Sequence, residues 1–498
     1  MVNDKMGNKN FFITTAIDYP SARPHLGHAY EKIIADVIAR WKKIKGFDVL
    51  LTTGLDCHGL KIQKAAEQAG LTPEEFVSDM SKVFKELCEK LDVHYDDFIL
   101  TTEKRHENLV RKLLMKLYEN GDIYEGKYEG LYCIDCETFY TEKDLLDGKC
   151  PVHKKDAVVK KEEGYFFKLS KYRDKIMSHI RENKESIFPE KKRNEITNRL
   201  KEPLKDVCIS RGIKWGIHLP FDESLVSWVW IEALMNYLTV VDYPNEKFRK
   251  FWPATHLIGS DIVWHHTVLW DSILLSLGIE LPKVIVHGFI NIEGEKMSKS
   301  RGKVIDPIDL AIKFGADPLR YFLMREIPFG EDGNYSEEAL VNRYNSELAD
   351  SLGNLVNRVL VLVEKNFEGF VPKPFETKVE KLALNIVKAF EDSMERFEFH
   401  NALNDIFFFV NELNKYVNEQ KPWEIKDKDQ LGGILYSLLE GLRLISILIY
   451  PFMPESAGKI MAQLGLEKEF SFDKLKWGVL KSGTKTKRNQ ILFNKIKG

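Results

Sequence analysis

The sequence predicts a doubly wound parallel α/β domain that is interrupted by an insertion and followed by an all-helical domain. Three observations lead to this fold class. Short apolar runs alternate with amphipathic helices in the first third of the chain and again after residue 255, as in a parallel sheet covered on both faces. The segment between these two parts lacks that alternation. After residue 336 almost every segment has helical periodicity.

Length and composition limit the class of protein. The chain has 498 residues, more than the roughly 250–300 at which one hydrophobic core stops growing, so two to four domains are expected. Hydrophobic residues make up 44% and charged residues 30%, which excludes wholesale disorder and a disulfide scaffold. A net charge of −2 argues against a protein that coats nucleic acid, but permits a local basic path for one specific RNA. The polar N-terminus and the lack of an apolar run of about 20 residues predict a cytoplasmic chain without a membrane span.

The predicted sheet is drawn from two parts of the chain. Phe11–Ile17 and Val49–Thr53 are the first strand candidates, and a helix with Ile33, Val37 and Trp41 on one face lies between them. The second part supplies two further strand candidates, at 255–261 and 283–290. The predicted domains are the first half of the α/β domain, the insertion, the second half, a loop and stem-contact region, and the helical domain with its tail, at 1–117, 118–224, 225–292, 293–340 and 341–498.

Two histidines follow the first predicted strand. His25 and His28 are three residues apart, so both can face one side of the first turn of the following helix. Ligands bind at the carboxyl ends of strands in an open parallel sheet, and a helix N-terminus offers free N–H groups to phosphate. Gly27 would let a nucleotide base lie close to the backbone. The alternative is an ordinary turn with two surface histidines, and this short motif alone does not decide between them.

The second candidate motif is Lys-Met-Ser-Lys-Ser at 296–300. Lys296 and Lys299 in a mobile loop can close on a triphosphate and neutralise charge that develops in the transition state. The segment is not a P-loop, because no G-x-x-x-x-G-K-[ST] motif exists in the chain. Taken alone, such a loop is more often a solvated turn.

Four residues in the predicted insertion have metal-ligand spacing: Cys133, Cys136, Cys150 and His153. A Cys-x-x-Cys pair followed by Cys-x-x-His is typical of a tetrahedral zinc site. Because these side chains would fill all four positions, the spacing predicts a structural Zn²⁺ in a zinc knuckle. A redox dithiol and a site that has lost its metal are the alternatives.

The two motifs, in this order and separated by a long insertion, resemble those of the class I aminoacyl-tRNA synthetases, which have a Rossmann-type catalytic domain. Seven further segments resemble the methionyl-tRNA synthetase family, at 15–19, 54–59, 228–237, 259–266, 325–330, 350–358 and 421–423. The resemblance implies a two-step reaction. Methionine and ATP would give methionyl-adenylate and pyrophosphate, and the methionyl group would then pass to the terminal ribose of initiator or elongator tRNA.

The resemblance also implies roles for the two motifs. His25 and His28 would bind the phosphates and the ribose region of ATP. Lys296 and Lys299 would hold the pyrophosphate leaving group. The implied ATP site also includes Mg²⁺ and three further residues, Gly27, Gly259 and Asp261.

The methionine pocket is likewise implied by the resemblance. Asp56 would pair with the substrate ammonium, helped by the backbone carbonyl of Ile17. The side-chain pocket would be lined by Tyr19, Trp230, Ala233, Leu234, Tyr237, Ile262, His266 and Trp270. Tyr19 and His266 are expected to direct a polar hydrogen at the sulfur, whereas the alternative for all these aromatic residues is plain core packing. Leu234 departs from the proline of many family members.

In the helical domain, Asn354 and Arg358 are four residues apart and project from one helix face. By resemblance, these two residues and Trp423 would read the CAU anticodon of tRNA(Met). Unpaired bases stack on aromatic rings and offer their edges to amide and guanidinium groups. The zinc insertion would guide the acceptor end of the same tRNA.

Two alternatives to a methionine–tRNA ligase stay open at this point. A cysteinyl-tRNA synthetase is another small class I enzyme with zinc, but its metal binds the substrate thiol in the active-site domain. A synthetase-like protein could instead recognise tRNA without catalysis, although the intact histidine and lysine pairs argue against this. A monomer is expected.

Overall fold

The computed structural model describes residues 9–133, 138–140, 145–151, 154–292, 295–296, 305–375, 378–489 and 491–496. The first part of the chain alternates strand and helix, as predicted. Its elements are β1 (Asn10–Thr15), α1 (Leu26–Ile44), β2 (Asp48–Leu55), α2 (Leu60–Ala69), α3 (Pro73–Lys90), β3 (Asp97–Leu100) and α4 (Lys104–Glu119).

The middle of the chain has short strands and two helices. In order, these are β4 (Ile123–Cys133), β5 (Thr138–Tyr140), β6 (Val158–Phe167), α5 (Arg173–Glu182), β7 (Ile187–Phe188), α6 (Glu190–Arg199), β8 (Val207–Cys208), β9 (Ser210–Arg211), β10 (His218–Leu219) and β11 (Asp222–Ser227). β4, β5, β6 and β8 form an antiparallel sheet of their own.

The alternation then resumes and leads into helices. The elements are α7 (Val229–Ala233), α8 (Asn236–Thr239), α9 (Glu246–Phe251), β12 (Thr255–Gly259), α10 (Trp270–Leu277), β13 (Lys283–His287), β14 (Ile290–Ile292), β15 (Glu295–Lys296), α11 (Pro307–Phe314), α12 (Ala316–Glu326), β16 (Gly333–Tyr335) and α13 (Glu337–Arg343). The helical domain contains α14 (Asn354–Phe367), α15 (Lys378–Glu395), α16 (Phe399–Gln420), α17 (Lys428–Ile449) and α18 (Pro454–Gln463). The predicted α/β domain and the helical domain are both confirmed.

The main sheet has six parallel strands in the order β3-β2-β1-β12-β13-β7. From β1 the chain continues to β2 on one side, and it reaches the other side of β1 only at β12. Ligands bind at the carboxyl ends of the strands where the strand order reverses in this way. The crevice between the ends of β1 and β12 is therefore the expected ligand site.

Three strands end earlier than the sequence predicts, among them β12, which stops at Gly259 and not at residue 261. β1 stops at Thr15 and not at Ile17, and Asp18 then pairs with Leu55 in an isolated bridge at the edge of the crevice. β13 stops at His287, because a side chain at Gly288 would lie 2.2 Å from the backbone oxygen of Glu331. Beyond that close contact, the chain enters a second small sheet of β15, β14 and β16.

One strand of the middle segment belongs to the main sheet. β7 pairs in parallel with β13, through Val284 and Ile187. The division of the chain into five domains stays a prediction, and the residues at 118–224 contribute this edge strand to the α/β sheet.

The helical domain packs on α1. Arg320 in α12 is fully buried, and its guanidinium donates to Asp36 of α1 (2.6 Å) and to the backbone oxygen of Phe452 after α17 (2.9 Å). Within the described part of the chain, only α17 is long and apolar enough to cross a membrane, and its most apolar stretch is completely buried inside the protein. We therefore describe α17 as the core helix of the bundle.

Candidate active site

The histidine pair forms the start of α1. His25 is the N-cap residue, and its Nδ1 accepts a hydrogen bond from the Gly27 amide (3.1 Å). His28 Nδ1 accepts from the His25 amide (3.0 Å), and the two rings stack at 3.7 Å. Because both Nδ1 atoms accept backbone hydrogens, each neutral ring carries its proton on Nε2. The local structure thus turns two donor groups toward the crevice.

Gly27 is favoured at this position for a structural reason that the sequence did not indicate. A side chain at this position would lie 2.9 Å from Cε1 of His25. Glycine is therefore required by the histidine pair itself, whatever else lies above it.

The loop after β2 carries Asp56. The Asp56 amide donates to the backbone oxygen of Asp18 (2.8 Å), which fixes the loop against the segment after β1. Trp215 supports the loop from below, because its indole N–H donates to the backbone oxygen of Cys57 (2.7 Å). The half-buried Asp56 is thereby held against the residue that follows Ile17, and its predicted contact with the substrate ammonium stays a prediction.

A buried cluster of aromatic and imidazole side chains lies next to this loop. His266 donates from Nδ1 to the backbone oxygen of Ile262 (3.0 Å), and its Nε2 accepts from the Tyr237 hydroxyl (2.8 Å). His256 accepts the indole hydrogen of Trp270 (3.2 Å), and its Nδ1 bonds Thr14. All of these partners are uncharged.

Burial determines the charge of this cluster. Loss of hydration lowers the pKa of His266 to about 4 and that of His265 to about 3. The pKa of His256 is also lowered by burial. All three imidazoles are therefore neutral near pH 7, and the pocket offers an uncharged, polarisable lining that suits a thioether.

Hydrogen bonds to backbone carbonyls engage the two groups that are expected to face the sulfur. Tyr19 donates its hydroxyl hydrogen to the backbone oxygen of His58 (2.8 Å), and the single N–H of His266 is donated to Ile262. That these two residues direct a polar hydrogen at the sulfur stays a prediction.

The other predicted pocket residues lie around the same crevice. Trp230 stacks on His265 at 3.9 Å, and Ala233 and Leu234 at the end of α7 are buried. Gly259 ends β12, and Asp261 is exposed two residues later. A side chain at Gly259 would lie 3.0 Å from the Asp261 carboxylate, so these two residues form one corner of the crevice.

Sequence reasoning missed a buried pair that joins two walls of the pocket. His58, in the loop after Asp56, bonds through Nδ1 to Glu232 Oε1 on α7 (2.9 Å), and Ser227 donates to the other carboxylate oxygen (3.1 Å). Burial acts to lower the pKa of His58, but the Glu232 carboxylate outweighs it and the pKa is raised. The only signal in the sequence was that both residues lie in segments that resemble the family, at 54–59 and 228–237, which were of interest for Asp56 and Trp230.

Two groups of predicted residues are described only in part. Lys296 ends the short strand β15, which pairs with β14 at Asn291, and its side chain and Lys299 lie outside the described residues. Cys133 and Cys150 are buried thiols, whereas Cys136 and His153 lie outside the described residues. Their convergence on one ligand or one metal ion stays a prediction.

The predicted anticodon residues lie on α14 and in the loop that follows α16. Asn354 is exposed at the start of α14, and Arg358 one turn later donates to Asn418 on α16 (2.8 Å). Trp423, with 54% of its surface exposed, lies five residues beyond Asn418. An exposed tryptophan is suited to stacking on unpaired bases, and an exposed amide and a guanidinium are suited to reading their edges. That the three residues act on one anticodon stays a prediction.

Comparison with known proteins gives the same assignment over nearly the whole chain. The family model for class I tRNA synthetases (M) matches residues 11–157 and 142–360, and the anticodon-binding domain of tRNA ligase matches 379–492. The methionine–tRNA ligase of Caldanaerobacter subterraneus subsp. tengcongensis is 47% identical, over 98% of this chain and 79% of its own length. That of Fusobacterium nucleatum is 44% identical, over 98% of this chain and 80% of its own length.

A solved structure is similar as well. Mycobacterium tuberculosis methionyl-tRNA synthetase in complex with methionyl-adenylate superposes with a TM-score of 0.93, at 40% identity, over 97% of this chain and 99% of that one. These similarities set aside both alternatives, a cysteinyl-tRNA synthetase and a protein without catalysis. The predicted resemblance is confirmed, and the chain belongs to the methionyl-tRNA synthetase family.

Proposed function

We propose that this chain carries out both steps of methionine–tRNA ligation at the crevice between β1 and β12. As a methionine–tRNA ligase, it forms methionyl-adenylate and pyrophosphate from methionine and ATP, and transfers the methionyl group to the 3′-terminal ribose of tRNA. The product serves translation initiation and elongation. The proposed location of the reaction is supported by the histidine pair at the N-terminus of α1, together with the buried pocket of uncharged side chains.

In the first step, a carboxylate oxygen of methionine attacks the α-phosphorus of ATP and pyrophosphate leaves. This transfer needs positioning and charge neutralisation rather than covalent help from the protein. The Nε2–H groups of His25 and His28 would donate to ATP oxygens beside Gly27, and Lys296 and Lys299 would neutralise the leaving group. Mg²⁺ would arrive with the phosphates of ATP.

The adenosine and methionine ends would be held by different strands. Gly259 and Asp261, at the end of β12, would lie beside the adenosine. Asp56 and the Ile17 carbonyl would hold the ammonium. The thioether would enter the cluster built from Tyr19, Trp230, Ala233, Leu234, Tyr237, Ile262, His266 and Trp270. In the second step, a hydroxyl of the terminal ribose attacks the carbonyl carbon of the adenylate and AMP leaves.

A structural Zn²⁺ would be held by Cys133, Cys136, Cys150 and His153 in the middle segment. The two described thiols fit this role, because both are buried and thiolate is a preferred zinc ligand. Such a metal contributes about 10–16 kcal/mol to the ordering of a small module. Metal analysis of the purified chain should find one zinc per chain, and Cys150→Ser should lose it. A wild-type chain free of zinc would contradict this.

Asn354, Arg358 and Trp423 would read the CAU anticodon. Stacking on an aromatic ring is worth about 1–3 kcal/mol per base, so Trp423→Ala should lower kcat/KM for tRNA(Met) by about 5- to 150-fold. The loss should be smaller for a transcript whose CAU is already altered. Equal losses with both transcripts would exclude anticodon reading by Trp423.

We also propose that the chain acts as a monomer in the cytoplasm, where tRNA charging supplies translation. Light scattering at micromolar concentration tests the oligomeric state. A dimer at that concentration would overturn this part.

The reaction itself is tested by ATP–pyrophosphate exchange. Exchange that depends on methionine, and not on cysteine, is expected. A chain that exchanges pyrophosphate with cysteine or with neither amino acid would refute the proposed function.

A further inference from the structure

Four ionisable side chains lie buried beneath the first turns of α1. They are Asp18, Glu31, Lys32 and His287, exposed by 7%, 6%, 1% and 6%. Charged side chains are almost never buried to this degree unless they are paired. None of the four belongs to the motifs of the two substrates, so this cluster needs its own explanation.

Lys32 is the centre of the cluster. Its ammonium lies 2.9 Å from Asp18 Oδ2, 3.0 Å from Thr15 Oγ1 and 3.3 Å from the backbone oxygen of Ala16. A fourth contact, at 3.3 Å, goes to Glu31 Oε1 on the same helix. The side chain therefore ties α1 to the end of β1 and to the segment that follows it.

Asp18 extends this tie to both substrate regions. Its backbone donates to Gly54 (2.9 Å) and accepts from the Asp56 amide (2.8 Å), so it holds the loop that would bind the methionine ammonium. One oxygen of its carboxyl lies 4.0 Å from Nε2 of His28. The same residue thus lies between the ammonium loop and the nucleotide histidine.

The charges around this pair depend on one another. Burial raises the pKa of the Asp18 carboxyl, while Lys32 and His25 act to lower it. Without the ammonium, two carboxyl groups would remain buried against one imidazole, because Glu31 bonds His287 at 3.1 Å. Several titratable groups face Asp18 and Lys32 from the neighbouring elements, and Glu31 connects them to His287 at the end of β13. These groups are the N-cap His25, His28 and Glu31 on α1, Cys88 on α3, and Tyr237 on α8.

We propose that Lys32 is a positioning residue, which through Asp18 sets the ammonium loop and His28 in register for the attack of methionine on ATP. The inference rests on the proposed roles of Asp56 and His28. In this proposal Lys32 does not contact either substrate. It acts through the Asp18 carboxylate, because Asp18 adjoins both the loop that carries Asp56 and the nucleotide histidine His28. A small displacement of reacting groups costs about 10²-fold in rate.

The main test is Lys32→Met, which keeps the length of the side chain and removes its charge. In methionine-dependent pyrophosphate exchange, we expect kcat per folded chain to fall by about 10²-fold. The acid limb of the pH profile should move to higher pH, because the main charge that opposes protonation of Asp18 is then gone. The double variant Asp18→Asn/Lys32→Met should lose the shift and lower kcat by no more than Lys32→Met alone, since both substitutions act through the same carboxylate.

Arg443→Met is the matched control for loss of a buried cation. Arg443 pairs with Glu440 inside α17, with 3% and 0% of the side chains exposed. This control should lower stability without changing kcat per folded chain or the pH profile. If Lys32→Met behaves like Arg443→Met, Lys32 is merely structural and the proposal is wrong.

A second variant covers the case in which Lys32→Met does not fold. Asp18→Asn leaves Lys32 paired with Glu31 and should still lower kcat by about 10- to 10²-fold, with both KM values changed less. An unchanged kcat would overturn the proposal. Failure of methionine-dependent exchange in the wild-type chain would instead refute the proposed function, so the two failures can be told apart.

Discussion

The two sides of the crevice use the same residue type in opposite environments. On the methionine side, His256 and His266 bond uncharged partners, and burial lowers the pKa of both and of His265. On the nucleotide side, His25 and His28 form a half-exposed helix cap, with a buried carboxyl 4.0 Å from His28. The first arrangement disfavours the protonated, charged form of the imidazoles. The second lies at a helix N-terminus, where hydrogen-bond donors and the helix dipole can bind a polyanion.

This difference shows that environment, not residue type, assigns the task. An imidazole whose two nitrogens both bond neutral groups forms part of an uncharged, polarisable pocket lining. An imidazole whose Nδ1 caps a helix presents its other nitrogen as a donor. Under the proposed function, one chain would use histidine both beside the thioether of methionine and beside the phosphates of ATP.

The largest expected effect is on the nucleotide side. His28→Ala removes a donor aimed at developing charge, and such a loss costs about 10²–10³-fold in kcat. Methionine-dependent pyrophosphate exchange measures it. The KM for methionine should change far less than kcat.

His25 separates catalysis from helix capping. Asparagine is a good N-cap, whereas alanine costs about 0.5–2 kcal/mol at that position. His25→Asn should therefore keep the thermal stability that His25→Ala loses, while both variants lose exchange activity. Full activity in His25→Asn would mean that the imidazole is only a cap.

The next effect belongs to the methionine side. Tyr237→Phe removes the hydroxyl that donates to His266, and leaves a buried acceptor unsatisfied at a cost of about 1–3 kcal/mol. Because the cluster lines the proposed thioether pocket, KM for methionine should rise by about 5- to 150-fold, with KM for ATP unchanged. Equal changes in both KM values would show that the two sides are not separable.

Some of this arrangement could be predicted from the sequence, and the reason is distance along the chain. Local features could be predicted, because the spacing of residues determines geometry within a few positions. They are the histidine cap, the step from β1 to α1, and the helix face that carries Arg358. The partners of the buried groups could not be predicted, because they are far away in the sequence. Glu232 is 174 residues from His58, and Glu31 is 256 from His287, so only the folded sheet brings them together. The strand β7 could not be predicted for a different reason: a strand of two residues has no periodicity to detect.

The smallest expected effect tests whether burial alone determines the charge of the histidines. His58 is about as buried as His256 and His266, yet its pKa is raised because the Glu232 carboxylate outweighs burial. A folded-state pKa above the unfolded value stabilises the protein fully below about pH 6.5, and this contribution is lost as pH rises through the folded value. In Glu232→Gln the carboxylate is gone, so burial lowers the pKa of His58 and acid pH becomes unfavourable.

The free energy of unfolding of wild type and Glu232→Gln should therefore differ most near pH 5.5 and least near pH 9, with about 1.4 kcal/mol for each unit by which the His58 pKa falls. Glu440→Gln is the matched control, because it removes an equally buried carboxylate whose partner, Arg443, does not titrate in this range. Its loss of stability should be the same at both pH values. A pH-independent loss in Glu232→Gln as well would mean that His58 is neutral like its neighbours, and that burial rather than the partner decides charge throughout the crevice.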